Sequence, residues 1–191
     1  MKNILFLLLF PLGLSAQNSI ADKTKNMELK KGFFTTYLDK SQGKVFAVVD
    51  KLDQEFLYVN SLPAGLGSND IGLDRGQIGD TRIVYFNKVG KKLLLVQPNY
   101  DYRAETNDAN EKRAVAQSFA QSILFGFTIE AEENGQVLID LTPFLLRDAH
   151  GVADRIRKMK QGSYTLAENR SALYYPNIKN FPKNSEFEAT L

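Results

Sequence analysis

The residues with the clearest chemical potential surround the single histidine of this 191-residue sequence, His150. Arg147, Asp148 and Asp154 lie close to it in the stretch LLRDAHGVADRI. A histidine oriented by a carboxylate can serve as the general base of a Ser-His-Asp triad. The sequence has no G-x-S-x-G motif to supply the nucleophile of such a triad.

Zinc chemistry of the H-E-x-x-H type needs two histidines one helical turn apart, and one histidine cannot provide them. A mixed histidine–carboxylate metal site has no supporting spacing around His150. We therefore predict that His150 lies at a break between helices and hydrogen-bonds to Asp148 or to the neighbouring backbone. Arg147, Asp148 and His150 are then structural landmarks, and a stand-alone hydrolase that uses His150 is the alternative.

Carboxylates in the same region allow a second type of chemistry. Asp140, Asp148 and Asp154 are candidates for the acid and nucleophile pair of a glycosidase. The sequence does not give the separation of these carboxylates, and most aspartates are solvated. We therefore favour solvated, non-catalytic aspartates at these three positions.

A glycine-rich stretch, PAGLGSNDIGLDRGQIGD at residues 63–80, predicts a long loop. It lacks the G-K-[ST] ending of a phosphate-binding loop, and the spacing of Asp70, Asp74 and Asp80 fits no calcium-loop consensus. We predict that Asp74 and Arg75 form local hydrogen bonds. Because long loops often carry function, the alternative is a binding surface at Asp74 and Arg75.

The elements that must position these residues are mainly strands. The runs GFFTTYLDK, KVFAVVDKL and EFLYVNSL predict an antiparallel meander. Two hairpins are predicted further along, one at KVGK and one at Asn134-Gly135, the strongest turn signal in the chain.

Two helices accompany the predicted strands. Val115, Phe119, Ser122 and Ile123 share one helical face and predict a helix over about 111–125. The residues that can cap this helix are Asn107, Asp108 and Asn110.

Thr142-Pro143 indicates the N-cap and first turn of a second helix, which runs to about 160 and is interrupted at Gly151. We predict an α+β fold in which an antiparallel, β-rich sheet or partly open barrel packs against these two helices.

The N-terminus has the features of a signal peptide. Lys2 precedes a short apolar run, Ile4 to Leu14, and the small residues Ser15 and Ala16 follow it. We predict a signal peptide at 1–16, a flexible leader at 17–31 and a β-rich domain at 32–191. The mature chain is then exported to the periplasm, the outer envelope or the medium, without a stable membrane anchor.

Composition excludes several classes of protein. The chain has no cysteine, which excludes a disulfide scaffold, thiolate zinc sites and cysteine nucleophiles. The net charge is only +2, and loss of Lys2 with the signal peptide brings it closer to zero. A nearly neutral chain gives no electrostatic reason to expect a nucleic-acid partner.

Three blocks, LDRGQ, LLRDAHGV and KNFPKNSE, occur in this order within the chain. On these blocks, the region from about Gly32 to the end resembles the N-terminal domain of unknown function of exported bacterial zinc-dependent metalloproteases of the H-E-x-x-H type. The resemblance implies that the zinc ligands and catalytic residues lie downstream of the matched region. No catalytic residue, metal ligand or cofactor is therefore carried over to this chain, and zinc is expected only in the catalytic domain.

The function implied is a non-catalytic N-terminal region of a secreted zinc metallopeptidase, inactive alone. Its partner would be the downstream metallopeptidase domain, which it packs against or assists. The final residues, EFEATL, look like an unfinished strand, so the domain is expected to be truncated at its C-terminal end. The alternative is a self-sufficient exported binding module that uses the 63–80 loop.

Overall fold

A curled, antiparallel eight-stranded sheet forms a half-barrel in the computed structural model of this chain. The structure describes residues 19–67 and 69–191. The predicted signal peptide at 1–16 lies outside the described residues. The fold is α+β and mostly β, as the sequence predicts.

The main sheet contains the first eight strands. They are β1 (Glu28–Lys30), β2 (Thr35–Asp39), β3 (Lys44–Val49), β4 (Phe56–Ser61), β5 (Ile78–Val89), β6 (Lys92–Gln97), β7 (Ser122–Glu133) and β8 (Gln136–Asp140). The helices are α1 (Ile20–Thr24), α2 (Ala109–Ser118), α3 (Thr142–Leu145) and α4 (Val152–Lys158).

Short elements complete the described chain. The last strands are β9 (Ala172–Leu173), β10 (Lys179–Phe181), β11 (Asn184–Glu186) and β12 (Ala189–Thr190). The 3₁₀ turns are Asn69–Ile71, Glu168–Arg170 and Tyr175–Asn177.

The spatial order of the sheet is β1-β2-β3-β8-β7-β6-β5-β4. Both predicted hairpins are confirmed, β5–β6 and β7–β8. In the second, Asn134 and Gly135 have φ values of 50° and 78°. Positive φ at both central residues is what a type I′ turn requires, and it explains why this local signal is reliable.

The predicted meander is wrong between β3 and β4. β3 pairs with β8, whereas β4 pairs with β5 and forms the opposite edge of the sheet. Five of the six residues of β3 are buried, because one of its faces points into the half-barrel and the other is covered from outside. β8 is buried on both faces in the same way, with Val137 and Ile139 on one side and Leu138 on the other, and both strands are accordingly apolar runs.

The main core fills the concave side of the sheet. Its centre is a group of phenylalanine rings at 5.4–6.1 Å between centroids, formed by Phe34, Phe56, Phe86, Phe127 and Phe144. Phe144 lies on α3, and Phe34 lies just before β2. α3 and the chain before β2 therefore fill part of the open side of the half-barrel.

The predicted helix over 111–125 is wrong at its C-terminal end. α2 ends at Ser118, and Ser122 already belongs to β7. Ile123 pairs with Val96 on β6, so sheet pairing overrides the helical spacing seen in the sequence. Of the three predicted capping candidates, Asp108 is the cap, since its side chain accepts a hydrogen bond from the Asn110 amide at 2.7 Å.

The packing predicted for this helix also needs correction. None of the residues of α2, which is described throughout, is buried. The outer face of the sheet is covered instead by α1, whose Ile20 packs with Phe46, Ala131 and Leu138.

The segment predicted as a flexible leader is built into the fold over its described part, 19–31. Ser19 caps α1 by accepting a hydrogen bond from Asp22, and Ile20 and Thr24 are buried one helical turn apart. β1 then pairs with β2. A single turn of helix gives too short a pattern to be recognised, and its stability comes from the apolar face that β3 and β8 present.

The second predicted helix is confirmed as two pieces, α3 and α4, separated at Gly151, which has a φ of 64°. Its predicted N-cap is wrong. Thr142 is the first helical residue, and its hydroxyl accepts a hydrogen bond from the Val45 amide at 3.0 Å. Asp140 accepts from the Thr142 amide at 2.9 Å and thus holds the start of α3.

Candidate functional site

Asp148 has a structural role at the break between α3 and α4. Its two carboxylate oxygens accept hydrogen bonds from the amides of Val152 and Ala153, at 2.8 and 2.9 Å. His150 lies at this break, as predicted, but its side chain forms neither of the predicted hydrogen bonds, to Asp148 or to the neighbouring backbone, within the described residues. The Nε2 atom of His150 is buried without a hydrogen-bond partner in the described part of the chain.

Arg147 joins α3 to the edge of the sheet. Its Nη2 donates to the Tyr58 hydroxyl at 2.8 Å, and its Nε donates to the Phe144 carbonyl at 3.0 Å. The guanidinium lies 4.1 Å from the centroid of the Phe144 ring. A planar cation with these partners fixes α3 against β4.

The glycine-rich loop ends earlier than predicted, because β5 begins at Ile78. Leu73 anchors the loop by complete burial, and Arg155 Nη1 donates to the Gly72 carbonyl at 2.6 Å. The side chains of Asp74 and Arg75 are exposed. The local hydrogen bond at Asp74 is made by its backbone: the Gln77 amide donates to the Asp74 carbonyl at 3.2 Å.

The structure thus brings two of the predicted regions together. The loop contacts α4 through Arg155, and Asn60 of β4 donates to the Ala149 carbonyl at 3.4 Å. These contacts form a structural junction and do not assemble a reactive group. In residues 19–67 and 69–191, no cluster of three or more histidine, aspartate or glutamate side chains is placed to hold a metal ion.

The aspartates considered for glycosidase chemistry have structural partners. Asp140 pairs with Lys44 at 3.1 Å in addition to holding the start of α3. Asp154 pairs with Arg157 at 2.5 Å on the surface of α4. With Asp148 accepting from α4, each of these carboxylates has a local role.

Replacing Asp148 with Ala should lower the free energy of unfolding by about 1–2 kcal/mol, because the first amides of α4 lose their acceptor. Chemical denaturation monitored by circular dichroism measures this change. The matched control is Asp154→Ala, which removes an exposed i,i+3 ion pair and should cost less than about 0.5 kcal/mol. Equal losses in the two variants would contradict the capping role of Asp148.

A cleft of about 700 Å³ lies between the outer face of the sheet and α2. We call it the tyrosine cleft, after Tyr85, Tyr100 and Tyr102, which line it. Its other lining residues include Asp53, Glu55, Asn87, Arg103, Lys112, Phe119 and Gln121. Its volume is within the range of small-molecule sites.

Most polar groups of the tyrosine cleft are already ordered by one another. Tyr85 donates its hydroxyl proton to Gln121 at 2.7 Å, and Asn87 donates to Asp53 at 3.0 Å. Tyr100 donates to Glu55, and this hydrogen bond is the main reason why the pKa of Tyr100 is raised. The phenol therefore stays protonated as a donor and does not become a nucleophile near neutral pH.

The tyrosine cleft has the chemistry of a non-covalent binding site. Two rings, Tyr102 and Phe119, stack at 3.8 Å with an interplanar angle of 4°. Carboxylates (Asp53 and Glu55) and cations (Arg103 and Lys112) are both present. Sequence reasoning missed this site, and the only available signal was the close grouping of two tyrosines and an arginine in NYDYR after a predicted strand.

Beside the cleft, the outer face of the sheet carries an uncovered apolar surface. We call it the β4–β5 face and define it by Leu57, Val59 and Ile83, which are 67%, 46% and 40% exposed. Leu57 and Ile83 are directly opposite each other in the β4–β5 pair. The neighbouring inward residues, Phe56 and Val84, belong to the core, so the alternation assigns the exposed side chains to the convex side.

A family model described as "Domain of unknown function (DUF5117)" matches residues 76–191. The chain belongs to this family. No curated protein and no solved structure matches it. The matched DUF5117 region begins just before β5, yet β3 lies between β2 and β8 in one sheet. The strands before residue 76 are therefore part of the same folded unit as the DUF5117 region.

Among the described residues, no helix has the length and apolar character needed to cross a membrane. The α-helices that the structure describes in this DUF5117 protein contain four to ten residues.

Proposed function

We propose that this DUF5117 protein is the non-catalytic N-terminal region of a secreted zinc-dependent metallopeptidase, and that the β4–β5 face is the surface that packs against the protease domain. The observation that carries the proposal is the apolar, uncovered state of this face. The blocks LDRGQ, LLRDAHGV and KNFPKNSE, which resemble such proteases, support the choice of partner.

The two halves of the outer sheet face differ in how they are covered. On β3, β8 and the end of β7, α1 buries Phe46, Ala131 and Leu138. On β4 and β5, Leu57, Val59 and Ile83 have no such cover from the described residues. Neighbouring apolar side chains left in water are typical of a surface that binds another protein.

In this proposal the metal and the nucleophilic water belong to the protease domain. The DUF5117 region contributes apolar area, and the tyrosine cleft beside the β4–β5 face adds hydrogen-bonding groups at the rim of the contact. An apolar centre with a polar rim is the usual arrangement of a protein interface.

The proposal is tested with a hydrophobic dye such as ANS. The chain without its predicted signal peptide should bind the dye, and the double variant Leu57→Ser/Ile83→Ser should bind clearly less. Leu29→Ser is the matched control, because Leu29 is 46% exposed but lies on β1 at the other edge of the sheet. Its dye binding should equal that of the unmodified chain.

The link to a protease is tested separately, by reading the coding frame beyond Leu191 for an H-E-x-x-H helix. When the longer polypeptide is expressed, the β4–β5 face should lose its dye binding. A monodisperse chain that binds no dye, with no such frame downstream, would contradict the proposal.

That negative result would favour a second candidate, an exported binding module that uses the 63–80 loop. The observation in its favour is that Asp74 and Arg75 expose their side chains on a loop held in place by buried Leu73. A rigid loop with exposed charged groups can bind a polar partner without a large ordering cost.

A further inference from the structure

The two edges of the eight-stranded sheet differ in how well they are protected against pairing with another strand. At one edge, β1 has only three residues, and Glu28 forms an ion pair with Lys40 at 2.6 Å. The C-terminal segment covers this edge, since Lys30 Nζ donates to the Ile178 carbonyl at 2.8 Å and Asn180 donates to the Lys30 carbonyl at 2.9 Å. Short length, charge and cover are the usual means of blocking an edge strand.

The other edge, β4, is longer and uncharged. Its contacts with Arg147 and Ala149 are made by the side chains of Tyr58 and Asn60, and not by its backbone. Its six residues, FLYVNS, carry no charge. Within the described ranges, β4 pairs only with β5, and no strand lies on its other side. The irregularity in the β4–β5 register falls between Val59 and Ser61, so Phe56–Val59 is a regular strand with one free side. An uncharged, regular edge is a template for another strand.

We propose that β4 pairs antiparallel with β4 of a second copy of this chain, forming a two-fold symmetric dimer with a continuous sheet. Centred on Tyr58, this pairing places Leu57 of each copy opposite Val59 of the other. Apolar side chains directly opposite each other stabilise an antiparallel pair. Glu55, the nearest charged residue before β4, then lies opposite Ser61, so no like charges oppose each other.

Symmetry supports a second copy of this chain as the partner that pairs with β4. A two-fold interface must be self-complementary, and an antiparallel pair of identical, uncharged strands meets this condition. The strand is added in the plane of the sheet, whereas the proposed protease contact is made perpendicular to it. The dimer therefore does not depend on the proposed function.

Sedimentation velocity over a concentration series tests the dimer. The chain without its predicted signal peptide should show a monomer–dimer equilibrium. Val59→Lys should weaken the dimer at least about tenfold, because a lysine on an edge strand opposes strand addition. Leu29→Lys is the matched control, since Leu29 and Val59 are both 46% exposed and both lie on edge strands. It should leave the equilibrium unchanged.

Hydrogen exchange of the unmodified chain gives a second measurement that does not depend on a variant folding. The amides of Phe56–Ser61 should exchange more slowly at high than at low protein concentration, and those of Glu28–Lys30 should not change. A chain that stays monomeric throughout would overturn the proposal, even if a synthetic Glu55–Ser61 peptide binds it. A dimer that survives Val59→Lys but is lost in Ile83→Lys would also overturn it, because the contact would then be on the β4–β5 face.

Discussion

Replacing Phe144 with Ala is expected to reduce the free energy of unfolding by about 3–5 kcal/mol. Phe144 is only 8% exposed, and its ring centroid lies 5.4 Å from those of Tyr58 and Phe125 and 5.7 Å from that of Phe127. These partners lie on strands and Phe144 lies on α3, so the loss removes apolar burial and leaves a cavity at the open side of the half-barrel. Arg147 also loses the ring on which its guanidinium rests.

Urea denaturation measured by circular dichroism tests this prediction. The matched control is Phe119→Ala, because Phe119 is 37% exposed and its described aromatic contact is the stacked ring of Tyr102. An exposed aromatic pair contributes about 0.5–1.5 kcal/mol to stability, so Phe119→Ala should lower the free energy of unfolding by less than Phe144→Ala. If the two variants lost the same stability, α3 would not be part of the core.

Replacing Gly32 with Ala is expected to displace the β10–β11 hairpin and to cost about 1–3 kcal/mol. A Cβ atom at residue 32 would lie 2.6 Å from the Asn180 Cβ and 2.8 Å from the Phe181 carbonyl oxygen. The second of these is a backbone atom, which cannot move without the hairpin. The Phe33 amide donates to the same carbonyl at 2.7 Å, so a clash at residue 32 also breaks this hydrogen bond.

Hydrogen exchange of Lys179–Glu186, together with chemical denaturation, measures the displacement. Gly126→Ala is the matched control, since its added Cβ would meet only the Leu94 side chain, at an ordinary 3.5 Å. Gly126 lies inside β7, where alanine is compatible with the strand, so its variant should stay within about 0.5 kcal/mol of the unmodified chain. Unchanged exchange of the hairpin in Gly32→Ala would show that the close approach can relax without cost.

Only part of the candidate site could be predicted from the sequence. The block LLRDAHGV can be recognised in the sequence, and the local pattern alone predicts that His150 lies at a helix break. The tyrosine cleft is different, because Glu55, Tyr85, Tyr100 and Phe119 belong to four separated segments of the chain. Only the tertiary structure, which places α2 beside the outer face of β5, brings their side chains to one cleft.

The β4–β5 face depends on the tertiary structure in the same way. In the sequence, EFLYVNSL predicts a strand, and the structure confirms a strand at Phe56–Ser61. Whether Leu57 and Val59 are exposed depends on what lies on the outer face of the sheet. α1 covers that face at β3 and β8 and does not reach β4.

By itself, the sequence determined the features that depend on neighbouring residues. These include the Asn134-Gly135 hairpin, the presence of a polar cap before α2, the break at Gly151 and the mostly β character of the fold. Such features are governed by backbone φ values and local hydrogen bonds, which a short stretch of sequence specifies. The tertiary structure decided the pairing of β3 with β8, the end of α2 at Ser118 and the packing of α1. Each of these depends on apolar surface contributed by distant parts of the chain, and long-range burial outweighs local propensity.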